Sequence, residues 1–348
     1  MAKTTLAELL DQRPWLLADG ATGTNFFDMG LQSGDAPELW NIDPDHSDKV
    51  RTLHRKFIEA GSDIILTNSF GGSAYRLKLH NVADQVFEIN KAAGELARLE
   101  ADAVDRPVVV AGSIGPTGEI FQPIGDLAYG DAVSAFADQA KGLQAGGVDV
   151  LWIETMSAKD EFEAAVEGCA STGLPIVGTM SFDTNGRTMM GITPEDFANF
   201  TAGMTNGPLG IGANCGTGAS ELLATVMGII KARPDAIVVA KGNCGIPEYK
   251  DGSIHYSGTP ELMADYARLA LDAGARIIGG CCGTSYAHLS AMRAALETHE
   301  KQDAPTIEQV IEKLGKVSDM AKAGGCGHSH AAPKGARGGS RRRRKTTS

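Results

Sequence analysis

Three cysteines stand at the ends of two apolar, β-rich runs: Cys215 closes GPLGIGANC (207–215), and Cys281 and Cys282 close ARIIGGCC (275–282). Thiolates are soft ligands that favour zinc over magnesium or calcium. Three of them with one position left open describe a catalytic rather than a structural zinc site. Neighbouring side chains on an extended strand point to opposite faces, so Cys281 and Cys282 can serve one metal only if the strand has ended and the chain turns between them. The flanking glycines permit such a turn. A buried free cysteine is also commonly just a small apolar residue, which is the reading for Cys169 on a predicted helix. Cys244, at the end of AIVVAKGNC (236–244), reads as a fourth ligand or a bystander. Spacing alone leaves the zinc and buried-thiol readings both open.

Other polar groups fall in the same relative position. Asp19-Gly20 ends LLADG (16–20), Thr67-Asn68-Ser69 ends DIILTNSF (63–70), and Glu154 ends VDVLWIET (148–155). Asn214 and Asn243 precede Cys215 and Cys244. Together with PVVVAGSIG (107–115) and PIVGTMSF (175–182), these runs make eight. Amphipathic segments follow most of them, several opening after Ser, Thr or Asp and finishing in Gly, as helices do. Continuous apolar strands alternating with amphipathic helices imply a parallel sheet covered by helices. Eight such units predict an α/β fold, a single (β/α)8 TIM barrel, with a doubly wound open sheet as the alternative. In a barrel the strand ends meet at one face, where active sites of this fold lie, so these distant residues would surround one pocket. Ser69 and Ser181 read more simply as turn or cap residues.

The 348 residues are 43% apolar and 22% charged, as in ordinary globular chains. No run approaches the length of a membrane span, and the N-terminus lacks a signal-peptide core, so a cytoplasmic protein is expected. The formal charge is −11, and residues 334–348 contribute seven basic residues and no acid. The rest therefore carries −18, which makes nucleic acid an unlikely partner. Residues 1–300 are expected to form the barrel, 301–323 a C-terminal helix, and 324–348 a disordered Gly/Arg-rich basic tail. Within the tail, Cys326, His328 and His330 offer at most a weak metal site, and RRRRK reads as a solvated basic run.

The stretches GANCGTG and GGCCGT, with LLADGATGT, GSDIILTNSF, SIGPTG, WIETM and GTMSFDTNGRTMMG, resemble the homocysteine S-methyltransferase family over about residues 12–298. Its members include the homocysteine-binding barrel of cobalamin-dependent methionine synthase and betaine–homocysteine methyltransferase. The resemblance implies Zn2+ on Cys215, Cys281 and Cys282, with homocysteine attacking a methyl donor as the zinc-bound thiolate. It also implies that Asp19 and Glu154 hold the substrate ammonium, helped by backbone around Gly20 and Thr67. Asn214 and Asn243 are candidates for orienting the loops and thiolates.

For the donor, betaine would need aromatic faces around its quaternary ammonium. Betaine-using relatives carry Tyr after the strand-4 glutamate, where this chain has Thr155; Trp40 and Tyr75 are the candidates to supply rings, although Trp40 also reads as a packing anchor. Several segments look closer to the methionine-synthase barrel. A corrinoid/5-methyltetrahydrofolate system is therefore expected ahead of betaine, with methylcobalamin reacting faster than betaine; with no cobalamin or pterin domain among these residues, it would come on a separate corrinoid- or pterin-binding polypeptide. S-methylmethionine is a third donor, and a non-catalytic corrinoid- or RNA-associated module is the alternative to an enzyme.

Overall fold

The protein is described by a computed structural model covering residues 4–245, 247–250 and 253–322. Cys326, His328, His330 and the basic tail lie outside the described residues. Eight parallel strands form the centre: β1 (Leu16–Leu17), β2 (Ile64–Leu66), β3 (Val109–Ile114), β4 (Val150–Met156), β5 (Ile176–Met180), β6 (Gly210–Cys215), β7 (Ile237–Gly242) and β8 (Ile277–Gly280). Each pairs with its sequence neighbour from β2 to β8, and β8 pairs with β1 through Leu16 opposite Ile277. A parallel bridge between Ala18 and Ile64 joins β1 to β2 and closes the ring. The fold is a (β/α)8 barrel, not an open sheet.

Period-two alternation assigns each strand residue to one of two layers. Leu16, Ile64, Val109, Val150, Val177, Val239 and Ile277 fill the barrel, and Leu6, Leu9 and Leu10 of an N-terminal helix (Leu6–Gln12) seal its lower end. Their alternates, such as Leu17, Ile65, Val110, Leu151 and Ile278, pack outward against the helices. The main barrel helices are α1 (Ser47–Glu59), α2 (Val86–Ala101), α3 (Tyr129–Ala145), α4 (Lys159–Ala170), α5 (Pro194–Ala202), α6 (Ala219–Ala232), α7 (Pro260–Ala273) and α8 (Tyr286–Thr298). Several carry the expected end signals. Thr193 and Asp196 form a capping box at α5, Thr259 caps α7, and Gly274 ends α7 at φ 110°. None of the helices among the described residues is long and apolar enough to cross a membrane.

Two details go beyond the alternating pattern. An antiparallel hairpin, Pro247–Lys250 with Ser253–Tyr256, rises between β7 and α7. Residues 301–322 hold two short helices, Ile307–Leu314 and Asp319–Lys322, rather than one. The break falls at Gly315, whose φ of 99° is left-handed and ends the first helix. Val310 and Leu314 dock that helix on α6 and α7.

Candidate metal and substrate site

The three thiols meet at the C-terminal mouth of the barrel. Among the described residues, Cys215, Cys281 and Cys282 form the one group of potential metal ligands whose donor atoms all lie within 4.8 Å of one another. Sγ of Cys215 and Sγ of Cys282 are 3.9 Å apart. The adjacent pair reaches one centre because β8 ends at Gly280. A turn then runs from Cys281 to Thr284, whose N–H and hydroxyl both donate to the Cys281 carbonyl, at 3.1 and 2.6 Å. Gly283 completes the turn at φ 80°, and a Cβ there would stand 2.3 Å from the Tyr256 ring. Only glycine suits that position. Cys215 itself is left-handed, at φ 61°, and this unusual backbone redirects its side chain from the strand's outward parity towards the mouth.

Groups around the thiols fix them. Asn243 Nδ2 donates to Cys215 Sγ at 3.7 Å and to the Gly216 carbonyl at 2.7 Å, while its Oδ1 accepts from the Cys282 N–H at 3.0 Å. Tyr256, at the end of the hairpin, stands beside Cys282, with its ring against Gly283. Sequence reasoning passed over Tyr256 because the hairpin left no periodic signal. Cys244 is buried, with its thiol against Gly258, and lies outside the three-sulfur group. Replacing Cys244 by Ala is therefore expected to leave metal content unchanged by elemental analysis; loss of the metal would make it a ligand.

The donor set fits a soft dication. Hydrogen bonding from Cys281 lowers Cys215, but the Cys282 hydrogen bond and burial outweigh it and push the Cys215 thiol up to about 12. Cys281 and Cys282 are raised as well. Three thiols with such properties stay neutral and mutually repel ionisation until a cation compensates them.

Glu154 points into the barrel from the end of β4. Its Oε1 accepts from the Ser113 hydroxyl at 2.5 Å, and burial holds its carboxyl above the usual range. Thr155, next to it, is left-handed at φ 63°, at an irregularity in the β4–β5 register. Asn214 secures this bend. Its Oδ1 accepts from the Thr155 N–H at 2.8 Å and the Thr179 hydroxyl at 2.7 Å, and its Nδ2 donates to the Thr155 hydroxyl at 2.7 Å. The same Nδ2 lies 3.4 Å from Glu154 Oε2 and 3.9 Å from Cys281 Sγ, so Asn214 links the carboxylate to the thiols.

Asp19 is placed differently. Its Oδ2 accepts from the Leu66 N–H at 2.7 Å, and its Oδ1 is paired at 2.6 Å with Lys241 Nζ, itself only 2% exposed. Lys241 was missed in the sequence, although its signal was present: it shares the inward parity of Val239 in an otherwise apolar strand.

A cavity of about 340 Å³ opens over these groups. Glu154, Lys241 and the three cysteines line it, as do Gly20 and Thr67, the latter with its hydroxyl 2.6 Å from Ser69 Oγ. Phe27, Phe70, Glu38 and Thr155 line it too. Trp40 and Tyr75 sit elsewhere. Trp40 is buried between Phe26 and His46, at ring distances of 4.9 and 4.8 Å, and Tyr75 lies beneath Lys78. The aromatic residues that line the cavity are thus the two phenylalanines.

Comparison with known proteins points the same way as the geometry. Residues 16–296 match the family model described as homocysteine S-methyltransferase. The chain is 30% identical over 307 residues to a methionine synthase from Mycobacterium tuberculosis, covering 84% of this chain and 25% of that protein. It is 28% identical over 334 residues to a methionine synthase from Mycobacterium leprae, covering 92% and 27%. The chain thus spans about a quarter of the length of these curated relatives. Among solved structures, the metallated form of the homocysteine methyltransferase MmuM from Escherichia coli shares the fold, with a TM-score of 0.70 at 23% identity over 83% of this chain and 99% of that one.

Proposed function

The chain belongs to the homocysteine S-methyltransferase family, and on that premise we propose that it methylates the sulfur of homocysteine to form methionine at a zinc centre held by Cys215, Cys281 and Cys282. The observation that carries this reading is the convergence of three thiols with a buried carboxylate and a buried ammonium on one cavity. Zinc bound there supplies the Lewis acidity that keeps a thiol ionised near neutral pH. Asn243 holds two of the cysteines in register, and Asn214 ties the Glu154 bend to them. Glu154 receives the substrate ammonium and so fixes where the sulfur lies. The sulfur then forms a bond to the methyl carbon as the bond to the leaving group breaks, and its electron pair departs with that group. A side-chain general base is not required at the transfer step, because the nucleophile enters it as thiolate.

The donor we propose is a small onium compound, betaine or S-methylmethionine. Phe27 and Phe70 line the cavity together with Glu38, residue types that suit a cation. Thr155, where betaine-using relatives carry Tyr, favours the second reading, a corrinoid-bound methyl group delivered by a separate protein. The test is direct: zinc-loaded full-length protein with homocysteine is given betaine, S-methylmethionine or methylcobalamin at equal concentration, and methionine is measured. We expect turnover with an onium donor to exceed that with methylcobalamin. The reverse order would select the corrinoid reading, and methionine from none of the three would overturn the assignment.

A further inference from the structure

Lys241 is a lysine with its ammonium inside a barrel, a placement that costs several kcal/mol unless something specific compensates it. Its Nζ lies 2.6 Å from Asp19 Oδ1 and 3.3 Å from the Asp19 carbonyl. Those contacts use two of its three N–H bonds, and among the described residues no further hydrogen-bond acceptor takes the third. Asp19, in turn, has each carboxylate oxygen engaged, one by Lys241 and one by the Leu66 N–H, and is 1% exposed. The cavity therefore meets Lys241 and Glu154, with Asp19 standing behind the lysine. Lys241 is also close enough to Glu154 and Cys281 to feel their charges, so it belongs to the same small space as the thiols.

We propose that Lys241 receives the α-carboxylate of the thiol substrate while Glu154 receives its ammonium, with Asp19 as the positioning residue that holds the lysine. This rests on the reading that homocysteine is the substrate. The charges require an arrangement of this kind. Without Lys241, a substrate carboxylate would enter a water-poor site already holding the carboxylates of Asp19 and Glu154. With it, each pole of an amino acid meets its opposite, and the pair discriminates amino-acid thiols from simple ones. A mere staple between β7 and the end of β1 would need only the Lys241–Asp19 contact and would not need the lysine to border the cavity.

The experiment measures thiol binding by calorimetry on zinc-loaded full-length protein, without a methyl donor. The probes are homocysteine, 3-mercaptopropylamine, which lacks the carboxylate, and 4-mercaptobutanoate, which lacks the amine. Lys241→Met should weaken homocysteine and 4-mercaptobutanoate by about 30-fold or more, the scale of losing one partner of a desolvated charge pair. It should leave 3-mercaptopropylamine nearly unchanged. Glu154→Gln should give the opposite pattern. Because Lys241→Met strands the Asp19 charge, the Asp19→Asn/Lys241→Met double variant, checked for full zinc content, carries the same expectation with that charge removed. Equal weakening of all three thiols, or a wild-type protein that binds 3-mercaptopropylamine as tightly as homocysteine, would overturn the role of Lys241 alone. Wild-type protein that binds none of the three would overturn the homocysteine reading itself.

Discussion

Protein carrying Cys281→Ala and Cys282→Ala together is expected to purify without zinc, against about one zinc per chain in the parent. Three sulfurs within 4.8 Å are the whole described donor set, so removing two leaves a single thiol, too few to hold the ion. Each single replacement, Cys215→Ala included, should lose most of the metal as well. The barrel itself should survive, since its core is built by the interior and outer apolar layers rather than by the mouth. Elemental analysis beside a circular dichroism spectrum separates loss of metal from loss of fold. Protons should compete with the metal. The thiols are raised well above their ordinary range, so the metal-free site is protonated at neutral pH and must release protons as zinc enters. Apparent zinc affinity should therefore fall as pH is lowered from 8 to 6. Full zinc content in the double variant would show that the cysteines are only buried apolar residues.

The parts of this site that were legible in the sequence share one property: they sit where a strand ends. Asp19, Glu154, Asn214, Cys215, Asn243, Cys281 and Cys282 could be read as one ring because eight apolar runs fixed the barrel, and the barrel fixes which ends converge. The contacts among them were not legible. Asp19 and Glu154 look alike as strand-end acids, yet one is neutralised by Lys241 and the other faces the cavity, a difference set by three-dimensional reach across β1, β4 and β7. Lys241 was hidden inside a run read as apolar. The donor side was harder still. Loop residues have no periodicity to place them: the rings of Trp40 and Tyr75 lie away from the cavity, while Phe27 and Phe70 border it. Likewise the hairpin bearing Tyr256 grew from a segment rich in turn residues, and Gly315 divided a stretch whose apolar spacing alone reads as a single helix.

Glu154→Ala should raise the homocysteine requirement by at least about 30-fold, and by as much as several thousand-fold, because losing one partner of a desolvated charge pair costs about 2–5 kcal/mol. The geometry explains why the loss should be large. The carboxylate is buried on the cavity wall, so water cannot easily substitute for it at the substrate ammonium. Zinc should remain bound, since Glu154 makes no hydrogen bond to the thiols itself, and the Asn214 amide that links them keeps its bonds to the Thr155 N–H and hydroxyl in the variant. How the loss divides between KM and kcat reports what the contact does. If Glu154 only binds, KM rises and kcat holds; if it also aims the sulfur at the methyl carbon, kcat falls too. We expect both to change, because the ammonium is one of two anchors that fix the sulfur's position. Glu154→Gln keeps the shape and the bond from Ser113 while removing the charge, so it should recover part of kcat with little recovery of KM. An unchanged homocysteine requirement in Glu154→Ala would move the ammonium to another acid, and Asp19 would then have to release Lys241 to accept it.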